Sequence, residues 1–148
     1  MADVMLTLMR SIFVFSPLEQ AEMIDVLDEL LPQQRNPWTV GGDLYINMVD
    51  QHDGLLFSDW EDEHVAAVET AMGHRPGWAI QVDVSGRIDG TSEVRWLTMK
   101  LLECGGVATD DYSEHCWTRA QIESGATVGH LRFFDFEGYR RRPDCEQQ

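Results

Sequence analysis

WAIQVDVSGRIDGTSEVRWLTMKLLECGGVATDDYSEHCW, residues 78–117, decides the fold. Its first seven residues alternate. Trp78, Ile80, Val82 and Val84 fall on one face of a strand, and Ala79, Gln81 and Asp83 on the other. Gly86 and Gly90 mark a loop, after which Val94, Leu97, Leu101 and Leu102 recur at helical spacing. Gly105 and Gly106 end that helix, because glycine takes the left-handed backbone that a helix end needs. A second strand leaves at Val107, giving a strand–helix–strand unit on which the rest of the chain is expected to pack, with a right-handed crossover.

Upstream, residues 4–15 are rich in branched and aromatic side chains and read as a strand. Ser16-Pro17-Leu18-Glu19 has the form of a capping box with proline at the first helical position. The helix it opens carries Met23, Ile24, Leu27, Leu30 and Leu31 inward and stops at Pro32. Residues 32–42 read as a linker, with turns at Pro37, Gly41 and Gly42. Leu44–Val49 alternates as a strand, Asp50–Gly54 is turn chemistry, and Leu55-Leu56-Phe57 reads as the returning strand of a hairpin. Ser58-Asp59-Trp60-Glu61 is a second box pattern, opening a helix with Val65, Val68 and Met72 inward and Gly73 at its end. Thr118-Arg119-Ala120-Gln121 is a third, opening a short helix that ends by Gly125. Residues 127–136 read as a last strand and 137–148 as a frayed polar tail. The order predicts one α+β domain over 1–148, a mixed β-sheet with helices packed against it.

Charge narrows the function. Twenty-six Asp and Glu face 11 Lys and Arg, a formal −15. Lys100 is the single lysine, and three of the ten arginines stand together at 140–142, so the body of the domain is more acidic than the total. Such a field repels nucleic acid and anionic membranes and attracts basic proteins. Cys104, Cys116 and Cys145 are odd in number and match no zinc or redox spacing, which fits a reducing compartment. Residues 4–15 are too short to span a bilayer, and no cleavage site follows. The expectation is a soluble cytoplasmic protein.

Catalytic and metal chemistry finds weak footing. His115 and Cys116 are adjacent, but neighbours on a strand point to opposite faces, and nearby carboxylates oppose thiolate formation. The turn with Asp50, His52 and Asp53 and the run Glu61–His64 match neither a calcium loop nor a helical zinc motif, so no metal and no cofactor are expected. Asp83 near one strand end can meet Asp110 or Asp111 near another, a carboxylate pair suited to acid–base work. A small hydrolase or transferase using Asp83, Asp110, His115 or Cys116 therefore stands as an alternative, set against the plainer reading of polar strand ends.

Protein recognition is favoured. Asp50, Asp53, Asp59, Glu61, Asp62, Glu63, Asp110, Asp111 and Glu114 recur at loops and helix starts, with Trp60, Tyr112 and Trp117 among them. Aromatic anchors ringed by carboxylates suit a basic protein partner. In size, acidity, single α+β domain and lack of a catalytic motif, the chain resembles the small acidic immunity proteins of bacterial polymorphic toxin systems. The resemblance implies an inhibitor that covers the active site of a toxin domain, a basic nuclease being the natural electrostatic match. It carries over no individual residue. A phage-encoded inhibitor or nucleic-acid mimic would use the same field.

Overall fold

The computed structural model describes residues 10–32 and 38–139. Residues 4–9 of the expected first strand, Pro37 and most of the expected tail (140–148) lie outside these. The described elements are β1 (Arg10–Phe15), α1 (Gln20–Leu30), β2 (Trp38–Val40), β3 (Leu44–Asp50), α2 (Asp62–Met72), β4 (Trp78–Val84), α3 (Thr91–Leu101), β5 (Val107–Thr109) and α4 (Arg119–Ser124), with a helical turn over 136–139.

The strands form one sheet in the order β2-β3-β4-β1-β5, and every neighbouring pair is antiparallel. The domain is α+β as expected, and the mixed sheet resolves into an antiparallel one. β4 and β5 run parallel but are not neighbours, because β1 lies between them and pairs with both. The 78–117 unit is therefore a crossover split by the first strand of the chain.

The alternation read in β4 holds. Ile80, Val82 and Val84 pack with Ile12 and Val14 of β1 and Leu44 and Ile46 of β3 on one face. Met23 and Leu27 of α1, Val94, Leu97 and Leu101 of α3, and Ile122 of α4 cover that face. On the opposite face a smaller cluster joins Phe15, Val49, Ala79 and Val107 to Val65 and Val68 of α2. Helices thus lie on both faces, but the second face carries α2 as its one long helix among the described residues.

Gly106 ties α3 to the sheet. It has φ +103°, and a Cβ there would stand 2.1 Å from the Phe15 carbonyl oxygen. Only glycine fits so close to the backbone of β1 in that conformation.

Three expectations fail, each for a physical reason. Leu55-Leu56-Phe57 is no strand. Both edges of β3 are taken by β2 and β4, so no ladder is left for it. The chain instead coils through turns, with Phe57 at φ +62° and its ring buried under α2. The hairpin is β2–β3, closed at Gly41-Gly42 inside the segment read as a linker.

Residues 127–136 are not a strand either. Val128 and Leu131 form an isolated bridge around Gly129-His130. Consecutive Phe133 and Phe134 are both buried, which strand alternation forbids. Phe134 escapes it at φ +51°.

The first two capping boxes are displaced. α1 starts after Glu19, whose amide donates to Glu22 Oε1 at 2.9 Å, and α2 starts after Glu61 with no side-chain cap. The third forms as read. Gln121 N donates to Thr118 Oγ1 at 3.2 Å, and Thr118 N donates to Gln121 Oε1 at 3.0 Å.

Candidate protein-recognition site

Antiparallel register places residues in rows across the sheet, and on the second face those rows differ sharply. The first row is Val49, Ala79, Phe15 and Val107, the apolar floor beneath α2. The next is Asn47, Gln81, Phe13 and Thr109. The third is Thr39, Tyr45, Asp83 and Ser11. It is extended past the end of β5 by Asp111, whose Oδ2 accepts from Ser11 N at 2.8 Å. Within two rows the face passes from apolar and covered to polar and half-buried.

The polar row is tied together by hydrogen bonds. Ser11 Oγ donates to Asp83 Oδ1 at 2.6 Å, and Gln81 Nε2 donates to the same oxygen at 3.0 Å. Ser11 thus bridges two carboxylates, through its hydroxyl to Asp83 and its amide to Asp111. Asp111 is exposed as a residue, yet its carboxyl is partly desolvated, and this burial raises its pKa. Repulsion from Asp83 adds to the rise, while the Ser11 amide and Arg10 oppose it.

Asp110 points the other way. Its Oδ1 accepts from Tyr112 N and Ser113 N at 3.1 and 3.2 Å, and its Oδ2 from Phe134 N at 2.7 Å. Burial nonetheless pushes its pKa up to about 6, against the pull of those three amides. The carboxylate pair expected from sequence is therefore Asp83 with Asp111. Asp110 is a buried clamp that fixes the turn after β5 to the C-terminal loop.

The aromatic anchors are corrected too. Trp117 is fully buried, held in a backbone bridge with Ala108 and packed on Phe133. Tyr112 is buried, stacks on Tyr139 and lies tilted against Phe134, with burial raising its hydroxyl pKa to about 12. Trp60 is half-buried, its ring edge-on to Phe13 and Phe15 and stacked on His64 at 4.4 Å. These rings turn inward because the two faces of the sheet demand more apolar cover than the helices supply. The large aromatics left exposed are Trp96 of α3 and Tyr139.

The acidic loops fare differently. Asp53, Asp59, Glu61, Asp62, Glu63, Asp111 and Glu114 are exposed. Asp50 is half-buried, and its pKa is lowered chiefly by the Asp53 amide that its Oδ1 accepts at 3.0 Å. Two segments remote in sequence converge on His64, where both Glu114 and Glu61 act on the imidazole. Desolvation is the larger influence and lowers its pKa; the carboxylates oppose it.

His115 and Cys116 do not cooperate. His115 Nε2 lies 3.0 Å from Gln121 Oε1, while Cys116 packs into the α2 cluster, where burial raises its thiol pKa. A cavity of about 250 Å³ beside the start of α3 is lined by Asp89, Thr91, Arg95, Arg132, Phe133, Asp135 and Glu137, and by none of Asp83, Asp110, His115 or Cys116. Among the described residues no three His, Cys, Asp or Glu are grouped to hold a metal ion, and no helix is long and apolar enough to cross a membrane.

Sequence reading missed Ser11, Thr39, Tyr45, Asn47 and Gln81. The signal was present in β3, where Tyr45 and Asn47 interrupt Leu44, Ile46 and Met48 and mark a face with incomplete apolar cover. No protein-family model, curated protein or solved structure matches the chain.

Proposed function

We propose that this protein binds a basic protein domain and inhibits it by covering its catalytic cleft, in the manner of an immunity protein toward a toxin. The observation that carries the reading is that exposed carboxylates from two distant segments, Glu61 and Glu114, both act on His64, in a chain with formal charge −15. A concentrated negative field speeds encounter with a positive partner and suppresses encounter with nucleic acid. Inward-turned aromatics move the short-range contacts away from Trp117 and Tyr112 and leave them to polar groups and to side chains on other surfaces. The enzymatic alternative gains no support from the geometry, since His115 pairs with Gln121, Cys116 packs into the α2 cluster, and the cavity beside α3 is lined by none of the four residues.

The test is functional inhibition. The toxic C-terminal domain of a protein encoded next to this one is produced with and without it. The expected result is relief of toxicity, a one-to-one complex, and an association rate that falls about tenfold or more between roughly 0.05 and 0.5 M salt. An association rate indifferent to salt, or toxicity untouched by an excess of this protein, overturns the reading.

A further inference from the structure

We infer that the polar half of the second sheet face, the rows containing Ser11, Tyr45, Asn47, Gln81 and Asp83, is the docking floor for an arginine- or lysine-bearing protein surface. The inference rests on the inhibitor reading above and supplies its contact surface.

Side-chain chemistry is the first support. A sheet face that meets only water usually carries long, mobile charged residues. Apart from Phe13, this one carries Ser, Thr, Asn, Gln, Asp and Tyr, in a chain where Glu is abundant elsewhere. Ser, Thr, Asn and Asp lose less rotamer freedom than Lys, Arg or Glu when a partner covers them, Gln81 is already held by Asp83, and Tyr is a residue type enriched at interfaces. The Ser11–Asp83–Gln81 hydrogen bonds already hold the row in place, so binding need not order it.

Charge supplies the partner. The formal charges on these rows are Asp83 and Asp111, both negative and both bonded to Ser11. Arg10 acts on Asp111 through its charge, but its hydrogen bonds go elsewhere. Its guanidinium donates to the carbonyls of Asp89, Ser85 and Ile88 and lies over the rings of Phe134 and Phe136. A guanidinium or ammonium from a partner, set between Asp83 and Asp111, removes their mutual repulsion and makes charge-assisted bonds to both.

Position is the third support. Phe13, in the floor row that borders the apolar cover, lies edge-on to Trp60 with ring centroids 5.1 Å apart, and Trp60 stacks on the His64 on which Glu61 and Glu114 act. The floor therefore runs into the acidic corner, and one basic surface can engage both.

The experiment follows backbone amide shifts in the intact chain as octa-arginine amide is added at about 0.05 M salt, where the Debye length is roughly 14 Å and exposed charges are weakly screened. The largest saturable shifts are expected at Ser11, Tyr45, Gln81, Asp83 and Asp111. Replacing Asp83→Asn together with Asp111→Asn should weaken binding about tenfold, whereas Glu61→Gln with Asp62→Asn and Glu63→Gln should weaken it less than about threefold. Asn47→Lys places a cation on the floor without touching the Ser11–Asp83 bonds and should weaken binding at least as much as the double variant. Its amide spectrum also serves as the fold control. Shifts centred on residues 59–64 and 114, with the triple variant the more damaging, overturn the floor and leave a basic partner in place. Absence of any saturable shift overturns both.

Discussion

Asp110 shows how a single carboxyl can be structural and costly together. Three backbone amides satisfy its oxygens, yet desolvation holds its pKa at about 6 against an ordinary 3.8. The folded state therefore binds this proton more tightly than the unfolded chain does. The charged form opposes folding above pH about 6, and that penalty fades as pH falls from about 6 toward 3.8. A displacement of this size corresponds to roughly 3 kcal/mol. Urea denaturation of the wild type and of Asp110→Asn at pH about 7.5 and about 4.5 should show the difference between them moving by about 2 kcal/mol in favour of the wild type at the lower pH. A pH-independent difference would mean that the amides cancel the effect of burial, and a movement in favour of Asp110→Asn at the lower pH would mean that the amides outweigh it. Gly106 makes a steric counterpart. Gly106→Ala puts a methyl carbon 2.1 Å from the Phe15 carbonyl oxygen at a positive φ, and should cost about 3 kcal/mol or more in the same assay. Gly41→Ala, at φ +60° in open space, should cost only about 1 kcal/mol.

Elements separate what local sequence encodes from what packing imposes. Thr118 caps α4 with both bonds of its box in place, so Thr118→Ala should lose about 1 kcal/mol. Ser58 stands in an equally good pattern, but α2 begins at Asp62, so Ser58→Ala should change stability by less than about 0.5 kcal/mol. Thermal or urea unfolding of the two variants checks the contrast. Both patterns are legible in sequence; the tertiary fold decides which is used. In the second, Trp60 turns onto the second sheet face to reach Phe13 and Phe15 of β1, and the helix starts after it. The same split explains the rest. β4, α3 and β5 were readable because their periodicities are clean and their glycines punctuate them. The 55–57 and 127–136 segments carry strand-like composition, but both sides of β3 are already paired when the first returns, and the Asp110 clamp on Phe134 bends the second. The carboxylate pair was readable as a meeting of strand ends. Choosing Asp111 over Asp110 required the register that puts Phe13 against Thr109.

At the scale of the whole molecule, one charge distribution makes opposite demands on the free and bound states. A formal −15 repels itself, so the free protein should gain stability as salt rises from about 0.02 to about 0.3 M, a rise in melting temperature of several degrees. Scattered surface ion pairs do little to offset this, since Arg75–Glu69, Lys100–Glu103 and Arg119–Glu123 are all solvent-exposed. A complex held by carboxylates facing a basic surface behaves the other way. Its dissociation constant should increase with salt, and the extra stability that binding confers should shrink over the same range. Calorimetry on the free protein and on its mixture with a basic toxin domain measures both trends together. Crossing trends, with salt raising one melting temperature while closing the gap to the other, are what an acidic clasp requires. Parallel trends would mean that binding is carried by apolar contact, and the exposed ring of Trp96 on α3 would then become the surface to mutate.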